Sequence, residues 1–241
     1  MVAITSVLIP LYLYPRFGAW TDIYTNITSS PSTTFSIIIN PNSGPGPSPI
    51  PDSKFITAIS QLNSYNNTEL YGYVHTSWAN RPIAEAQAEV ATYHNWSSYP
   101  SADIHVDGIF FDEAPVEYNS STSPWMSTIS SYARTTMGTG HNKIIFNPGA
   151  IPDSRFYALA DTIVAFENYW SAWSEQVLGW IGAEWYNKTA VVVRDFTGTV
   201  ADQEAFTNEL KGDGLGSLFV STKANYNETS ALWTQFCKAM S

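Results

Sequence analysis

Short apolar runs alternate along this chain with longer stretches whose apolar residues recur at helical spacing. The runs are Val7 to Tyr14, Phe35 to Asn40, Leu70 to His75, Gly108 to Asp112, Lys143 to Asn147, Thr162 to Glu167, Ala190 to Asp195 and Ser217 to Thr222. Runs this short, rich in Val, Ile, Leu and Phe and bounded by Gly, Pro, Asn or Ser, read as strands buried on both faces, as in a parallel sheet. Between them, Phe55 to Tyr65, Pro82 to His94, Pro124 to Met137, Trp173 to Trp185 and Asp202 to Leu210 read as helices, as does the tail Ala231 to Lys238. Strand then helix, repeated about eight times, predicts an α/β fold, a (β/α)8 TIM barrel forming a single domain over residues 1–241. A doubly wound open sheet is the competing architecture. It advertises a glycine-rich phosphate loop after the first strand, and Pro15-Arg16-Phe17-Gly18-Ala19-Trp20 has no such spacing. The Pro/Gly/Ser stretch from Pro41 to Pro49 lies within the same alternation and reads as a rigid loop near the barrel mouth rather than a linker.

In such a barrel the last residues of all strands form one ring, where barrel enzymes carry out their chemistry. That ring collects Tyr14, Asn40, His75, Asp112 with Glu113, Asn147, Glu167, Arg194 with Asp195, and Thr222 with Lys223. Any one of these is by itself an ordinary structural residue; Asp112, for instance, could simply cap the next helix. Polar side chains at every exit are not what a packed interior of Val, Ile, Leu and Phe requires.

Two exits carry carboxylates. Gly108-Ile109-Phe110-Phe111-Asp112-Glu113-Ala114-Pro115 ends an apolar strand in two adjacent acids, and Thr162-Ile163-Val164-Ala165-Phe166-Glu167 ends another in one. Carboxyl groups facing each other across a cleft suffice to cleave a glycosidic bond: one protonates the leaving oxygen, and the other attacks the anomeric carbon or activates water. Aromatic rings stack on sugar faces; of Tyr14, Trp20, Trp78, Tyr169, Trp170 and Trp173, which lie near strand exits, two or three are expected as platforms and the rest as core.

Composition narrows the classes. A chain 44% hydrophobic and 13% charged is globular, and it has no uninterrupted apolar run long enough to insert in a membrane. A net charge of -10 without any Lys/Arg cluster argues against nucleic acid. The four histidines, His75, His94, His105 and His141, show no i, i+4 pairing, and Asp103 and Asp107 around His105 read as a solvated loop before a strand. No metal and no cofactor are expected. The single Cys237 excludes an intrachain disulfide and reads as a small core residue. Six sequons, at Asn26, Asn66, Asn95, Asn119, Asn187 and Asn227, fall in expected loops or element ends and point to a secreted or cell-wall-associated, extracellular glycoprotein. Residues 2–14 are apolar, but no basic segment precedes them and no cleavage site follows, so they suit a first strand; a removed leader is expected.

Leu8-Ile9-Pro10-Leu11-Tyr12-Leu13-Tyr14-Pro15, Ile39-Asn40-Pro41-Asn42-Ser43-Gly44-Pro45-Gly46, Gly72-Tyr73-Val74, Gly108 to Glu113 and Asn147-Pro148-Gly149 occur in order across nearly the whole chain. Together they resemble the spherulin-4 family of fungal and slime-mould proteins. That family includes secreted fungal glycoside hydrolases (family 135) acting on galactosaminogalactan, an α-1,4-linked exopolysaccharide of galactose and N-acetylgalactosamine. The resemblance implies a (β/α)8 barrel with endo-α-1,4-N-acetylgalactosaminidase activity and essential acids at Asp112, Glu113 and Glu167. The expected partner is the polysaccharide, bound by a monomer. Asp112 is then expected as nucleophile, Glu167 as general acid/base and Glu113 as a positioning group. Tyr14, Asn40, His75, Asn147, Tyr169, Trp170, Arg194, Asp195 and Lys223 are the candidate sugar-binding residues. Attack by the substrate's own N-acetyl group would instead make Asp112 the group that orients it. A carbohydrate-binding or spore-coat barrel without turnover, and a glycosidase for another α-linked glycan, are the alternative readings.

Overall fold

The computed structural model describes residues 5–241; residues 2–4 of the apolar opening lie outside it. Eight parallel strands close into a barrel in sequence order: β1 (Ser6–Leu11), β2 (Phe35–Ile39), β3 (Thr68–His75), β4 (Gly108–Asp112), β5 (Lys143–Asn147), β6 (Thr162–Tyr169), β7 (Thr189–Arg194) and β8 (Ser217–Val220). Each expected run holds a strand. The first stops at Leu11, so Tyr12 and Tyr14 sit on the loop beyond it. The ring closes on a short seam in which β1 meets β8 only at Ser6↔Ser217 and Val7↔Leu218.

Among the described residues, seven helices surround the barrel: α1 (Thr21–Ser29), α2 (Ser53–Asn63), α3 (Ile83–Trp96), α4 (Thr122–Met137), α5 (Gln176–Gly179), α6 (Val200–Gly212) and α7 (Trp233–Met240). Asp52 begins α2 by accepting from the amides of Lys54 and Phe55, and Thr199 with Asp202 forms a reciprocal cap on α6. The expected helix from Trp173 to Trp185 does not form. Gly179 and Gly182 interrupt it, leaving the one-turn α5 and a 3-10 turn over Ala183–Lys188, as the low helix propensity of glycine dictates. Between β5 and β6 a 3-10 turn, Ser154–Ala158, replaces a helix and buries Phe156 and Tyr157 in its stead.

Strand and helix layers meet closely. A Cβ at Gly72 of β3 would lie 2.6 Å from the Tyr93 ring on α3, so only glycine lets that helix seat. The Tyr93 hydroxyl donates to the Ile39 carbonyl at 3.2 Å. Cys237 is fully buried on α7, and burial pushes its thiol pKa up. The 41–52 loop is held as well: Asn40 Oδ1 accepts from the Gly44 amide at 2.9 Å, and Trp96 Nε1 donates to the Pro49 carbonyl at 3.2 Å. No helix among the described residues is long and apolar enough to cross a membrane.

At the barrel's entry end, aspartates placed just before a strand bind the amide of a neighbouring strand. Asp107 Oδ2 accepts from Leu70 N, and Asp161 Oδ2 accepts from Ile144 N, both at 2.8 Å. Asn26 corrects one sequence expectation. It lies on α1, is 4% exposed, and its Nδ2 donates to Asp22 O and Thr234 Oγ1, so that nitrogen is not available as a glycan acceptor. The asparagines of the other five sequons are exposed.

Candidate active site

The parallel strands bring their exits to one mouth, and there β4, β5 and β6 deliver Asp112, Asn147 and Glu167. Asn147, 6% exposed, stands between the two acids. Its Nδ2 donates to Asp112 Oδ1 at 2.8 Å and to Glu167 Oε2 at 2.6 Å. The orientation of that amide is imposed by the chain. Asn147 Oδ1 accepts from Gly149 N at 3.0 Å, which leaves only the nitrogen for the acids, and Gly149 takes the φ of 66° that this tight turn needs. The Gly149 carbonyl in turn accepts from Glu167 N at 3.0 Å. Because one nitrogen reaches both acids, the two accepting oxygens are no further apart than 2.8 Å and 2.6 Å laid end to end. That bound lies well below the roughly 6.5–9.5 Å that separates the carboxyl groups of inverting glycosidases.

Glu167 faces inward because of an irregularity. Val164 pairs with Ala190 and Phe166 with Val191, so β6 carries one extra residue at Ala165. Strict alternation from Val164 would turn Phe166 inward and Glu167 towards the helices. The bulge reverses this: Phe166 packs against Trp173, and Glu167 joins the acid pair.

Phenols complete the acids' surroundings. Tyr73 donates to Asp112 Oδ2 at 2.7 Å, and Tyr226 donates to Glu167 Oε1 at 2.5 Å. The Tyr12 ring bridges them edge-on, 5.6 Å from Tyr73 and 5.4 Å from Tyr226. Burial, reinforced by the nearby acids, raises the pKa of all three phenols, so they stay protonated as donors. Asp112 is itself raised: burial dominates, the Glu167 charge adds to it, and the bonds from Tyr73 and Asn147 work against it. Among the described residues, neither Asp112 nor Glu167 makes an ion pair.

Beside this pair the backbone is strained. Glu113 has φ 52°, and the consecutive residues Ser77, Trp78 and Ala79 have φ 49°, 53° and 64°. Such left-handed conformations cost a non-glycine residue about 1–2 kcal/mol each. The Glu113 carbonyl holds them, accepting from Thr76 Oγ1 and from Trp78 N, both at 2.7 Å. The kink separates the adjacent acids: Asp112 stays in the pair, while the Glu113 carboxylate turns towards His75, whose Nδ1 is 3.9 Å away and also 3.2 Å from Ser77 Oγ.

The other sequence candidates divide. Trp78 and Tyr169 are 58% and 44% exposed and present open rings. Arg194 packs its guanidinium over Tyr169 at 4.7 Å and Tyr226 at 5.7 Å, and donates to the Ala224 carbonyl. Asp195 is exposed, with φ 53°, and its amide donates to the Lys223 carbonyl. Six expectations need correcting. Trp20 is buried and donates to Leu13 O; Trp170 is wedged between Phe196 and Phe206, and Trp173 between Phe166 and Phe206. Asn40 is engaged in its own loop, and the Lys223 ammonium pairs with Glu228. Tyr14 lies aside, bonded to Asp52.

Sequence reading missed Tyr73, Tyr226 and Tyr12. Tyr73 could have been found, since it lies two residues before His75 and so shares its face of β3. Tyr226 arrives on the loop after β8, which has no periodic signal. His141 was also unexpected beside His105 and Asp107; these three lie at the entry end, away from the acids.

A family model described as spherulation-specific family 4 matches residues 6–240. The chain belongs to that family. Spherulin-4 of Physarum polycephalum is 34% identical over 176 residues, covering 73% of this chain and 48% of the relative, so the chain spans about half that protein's length. Another family likeness is structural: Sph3 of Aspergillus clavatus, crystallised with GalNAc, superposes with a TM-score of 0.90 at 30% identity over 99% of this chain and 98% of its own. A GH18 chitinase, ChiB of Flavobacterium johnsoniae, shares the fold at a TM-score of 0.58 and 11% identity, over 99% of this chain and 94% of its own. This spherulin-4 member thus shares its closed (β/α)8 barrel with a GalNAc-bound protein.

Proposed function

We propose that this spherulin-4 member is a secreted endo-acting glycosidase that cuts α-1,4-linked N-acetylgalactosamine within galactosaminogalactan and retains anomeric configuration. The observation that carries the reading is the pair Asp112 and Glu167, bridged by one amide and so closer than an inverting pair, in a chain similar to a GalNAc-bound protein. In the first step Glu167 gives a proton to the leaving glycosidic oxygen while Asp112 attacks the anomeric carbon. Water then displaces Asp112, and Glu167 takes up its proton. Asn147 holds both carboxyls, Tyr73 and Tyr226 steady them, and Glu113 with His75 faces sugar hydroxyls. Trp78 and Tyr169, open rings on different walls, support an internal cut by gripping the polymer on both sides.

In an α-linked N-acetylgalactosamine the 2-acetamido group lies on the same face of the ring as the leaving oxygen, so that amide cannot displace it from the opposite face, and the attack falls to a carboxylate. A fluorinated glycosyl inhibitor tests the assignment: label on Asp112 supports it, and label on another residue overturns it.

The activity itself is tested by incubating the protein with purified galactosaminogalactan and analysing soluble products by mass spectrometry. N-acetylgalactosamine oligomers are the expected result. Binding without products would identify a carbohydrate-binding barrel, and products from a different polymer alone would reassign the substrate.

A further inference from the structure

At the entry end, a full strand length from the acids, about 16 Å by strand rise, three donor side chains converge. His105 and Asp107 lie on the segment leading into β4, and His141 on the segment leading into β5. Each offers a ligand atom within 4.8 Å of the others. His105 Nε2 is 3.5 Å from Asp107 Oδ1, and His141 Nδ1 is 3.3 Å from the same oxygen. Good N–H···O bonds run about 2.7–3.2 Å, so both contacts are long for hydrogen bonds. They match another geometry. A tetrahedral Zn2+ with bonds of about 2.0–2.1 Å holds its ligands about 3.3–3.4 Å apart.

The supporting bonds point the same way. His105 Nδ1 is 2.6 Å from Asp103 Oδ1, which turns the ring so that Nε2 faces the cluster. A carboxylate on the far nitrogen is how zinc-binding histidines are oriented. Asp107 commits Oδ2 to the Leu70 amide and presents Oδ1 inward. Asn63, at the end of α2, donates to the carbonyls of Asp103 at 3.2 Å and His105 at 3.1 Å, tying down the loop that carries them. The imidazole centroids are 4.8 Å apart, so the two rings flank one carboxylate oxygen of Asp107. Side-chain exposures of 25%, 19% and 43% for His105, Asp107 and His141 leave one flank open to water for a fourth ligand.

We propose that His105, Asp107 and His141 form a site for a divalent transition metal, zinc by donor type, that clasps the β4 and β5 entry segments together. Residues at this end of a barrel serve stability rather than catalysis, so the ion is structural. Cobalt should occupy the same nitrogen and oxygen donors and report their geometry.

The test uses the whole protein, stripped with EDTA and dialysed at neutral pH. Zn2+ should bind at one per chain in calorimetry. It should raise the melting temperature by about 5–10 °C at free metal roughly a hundredfold above the dissociation constant. Co2+ should give visible d–d bands that Zn2+ displaces. His141→Ala and His105→Gln should each abolish the bands and the thermal shift, whereas His94→Ala, removing an exposed histidine on α3, should leave both intact. His141 is exposed enough for its alanine variant to fold, which near-ultraviolet circular dichroism verifies. No stoichiometric binding by the wild type overturns the proposal, and so does a thermal shift that survives in both variants.

Discussion

Two sets of carboxylates in this barrel are treated in opposite ways. At the entry end Glu69 pairs with Lys143, Asp161 with Arg134, and Asp107 with two imidazoles. Asp161 and Asp107 also cap strand amides. At the exit end Asp112 and Glu167 face each other with only an amide and phenols for company. Acids that hold the fold together are neutralised by cations. The acids proposed to do chemistry are kept in position by neutral donors, an arrangement that leaves their proton affinities adjustable.

The comparison breaks most visibly under charge removal. Asp112→Asn or Glu167→Gln should lower turnover by about 10^4-fold. The Asp112 change should not lower the melting temperature. The sign follows from linkage: the folded pKa of Asp112 lies above its unfolded value, so its ionisation costs stability as pH rises through that interval, and an amide removes the cost. The Tyr73 hydroxyl can reverse and accept from the new amide. Asp161→Ala at the other end should do the reverse. It strips the Ile144 amide and Arg134 of an acceptor, lowering stability by about 1–3 kcal/mol while leaving turnover per folded molecule unchanged in parallel denaturation and rate assays. An Asp112→Asn protein that is both active and less stable would erase the distinction.

Smaller changes sharpen it. Tyr226→Phe removes the hydrogen bond to Glu167 Oε1, and kcat should fall about 10-fold. Tyr73→Phe removes a bond that favours ionised Asp112, so the acidic limb of the kcat/KM profile should move to higher pH. An unmoved limb would mean that Asp112 does not control it. The least effect is expected from Trp78→Ala: KM for long polymer should rise by only a few-fold, about 1 kcal/mol, with short oligosaccharides unaffected.

The barrel was legible because its strands are buried on both faces and so appear as apolar runs. Helix boundaries failed where glycine intervened, as at Gly179 and Gly182, or where a turn such as Ser154–Ala158 does a helix's work. The placement of Asp112 and Glu167 at strand exits was legible too, yet the inward aim of Glu167 depends on a bulge that no alternation pattern announces. Asn147 was read as a sugar ligand, whereas its bridging position depends on Gly149. Rings near the exits were over-read: Trp170 and Trp173 fill the space between β6 and α6, a packing role their position in the chain does not distinguish from a platform. The meeting of His105 and His141 required two separate αβ connections to end side by side.

The short seam between β1 and β8 has a kinetic meaning. Tyr12 follows the first strand and Tyr226 follows the last, and their rings touch across the join. Glu167, made two strands earlier, receives its phenol only when the end of the chain has come round to meet the beginning. Such long-range closure is slow compared with helix formation and local strand pairing. On refolding, recovery of activity should therefore trail recovery of secondary structure, which makes hydrolysis a reporter of ring closure.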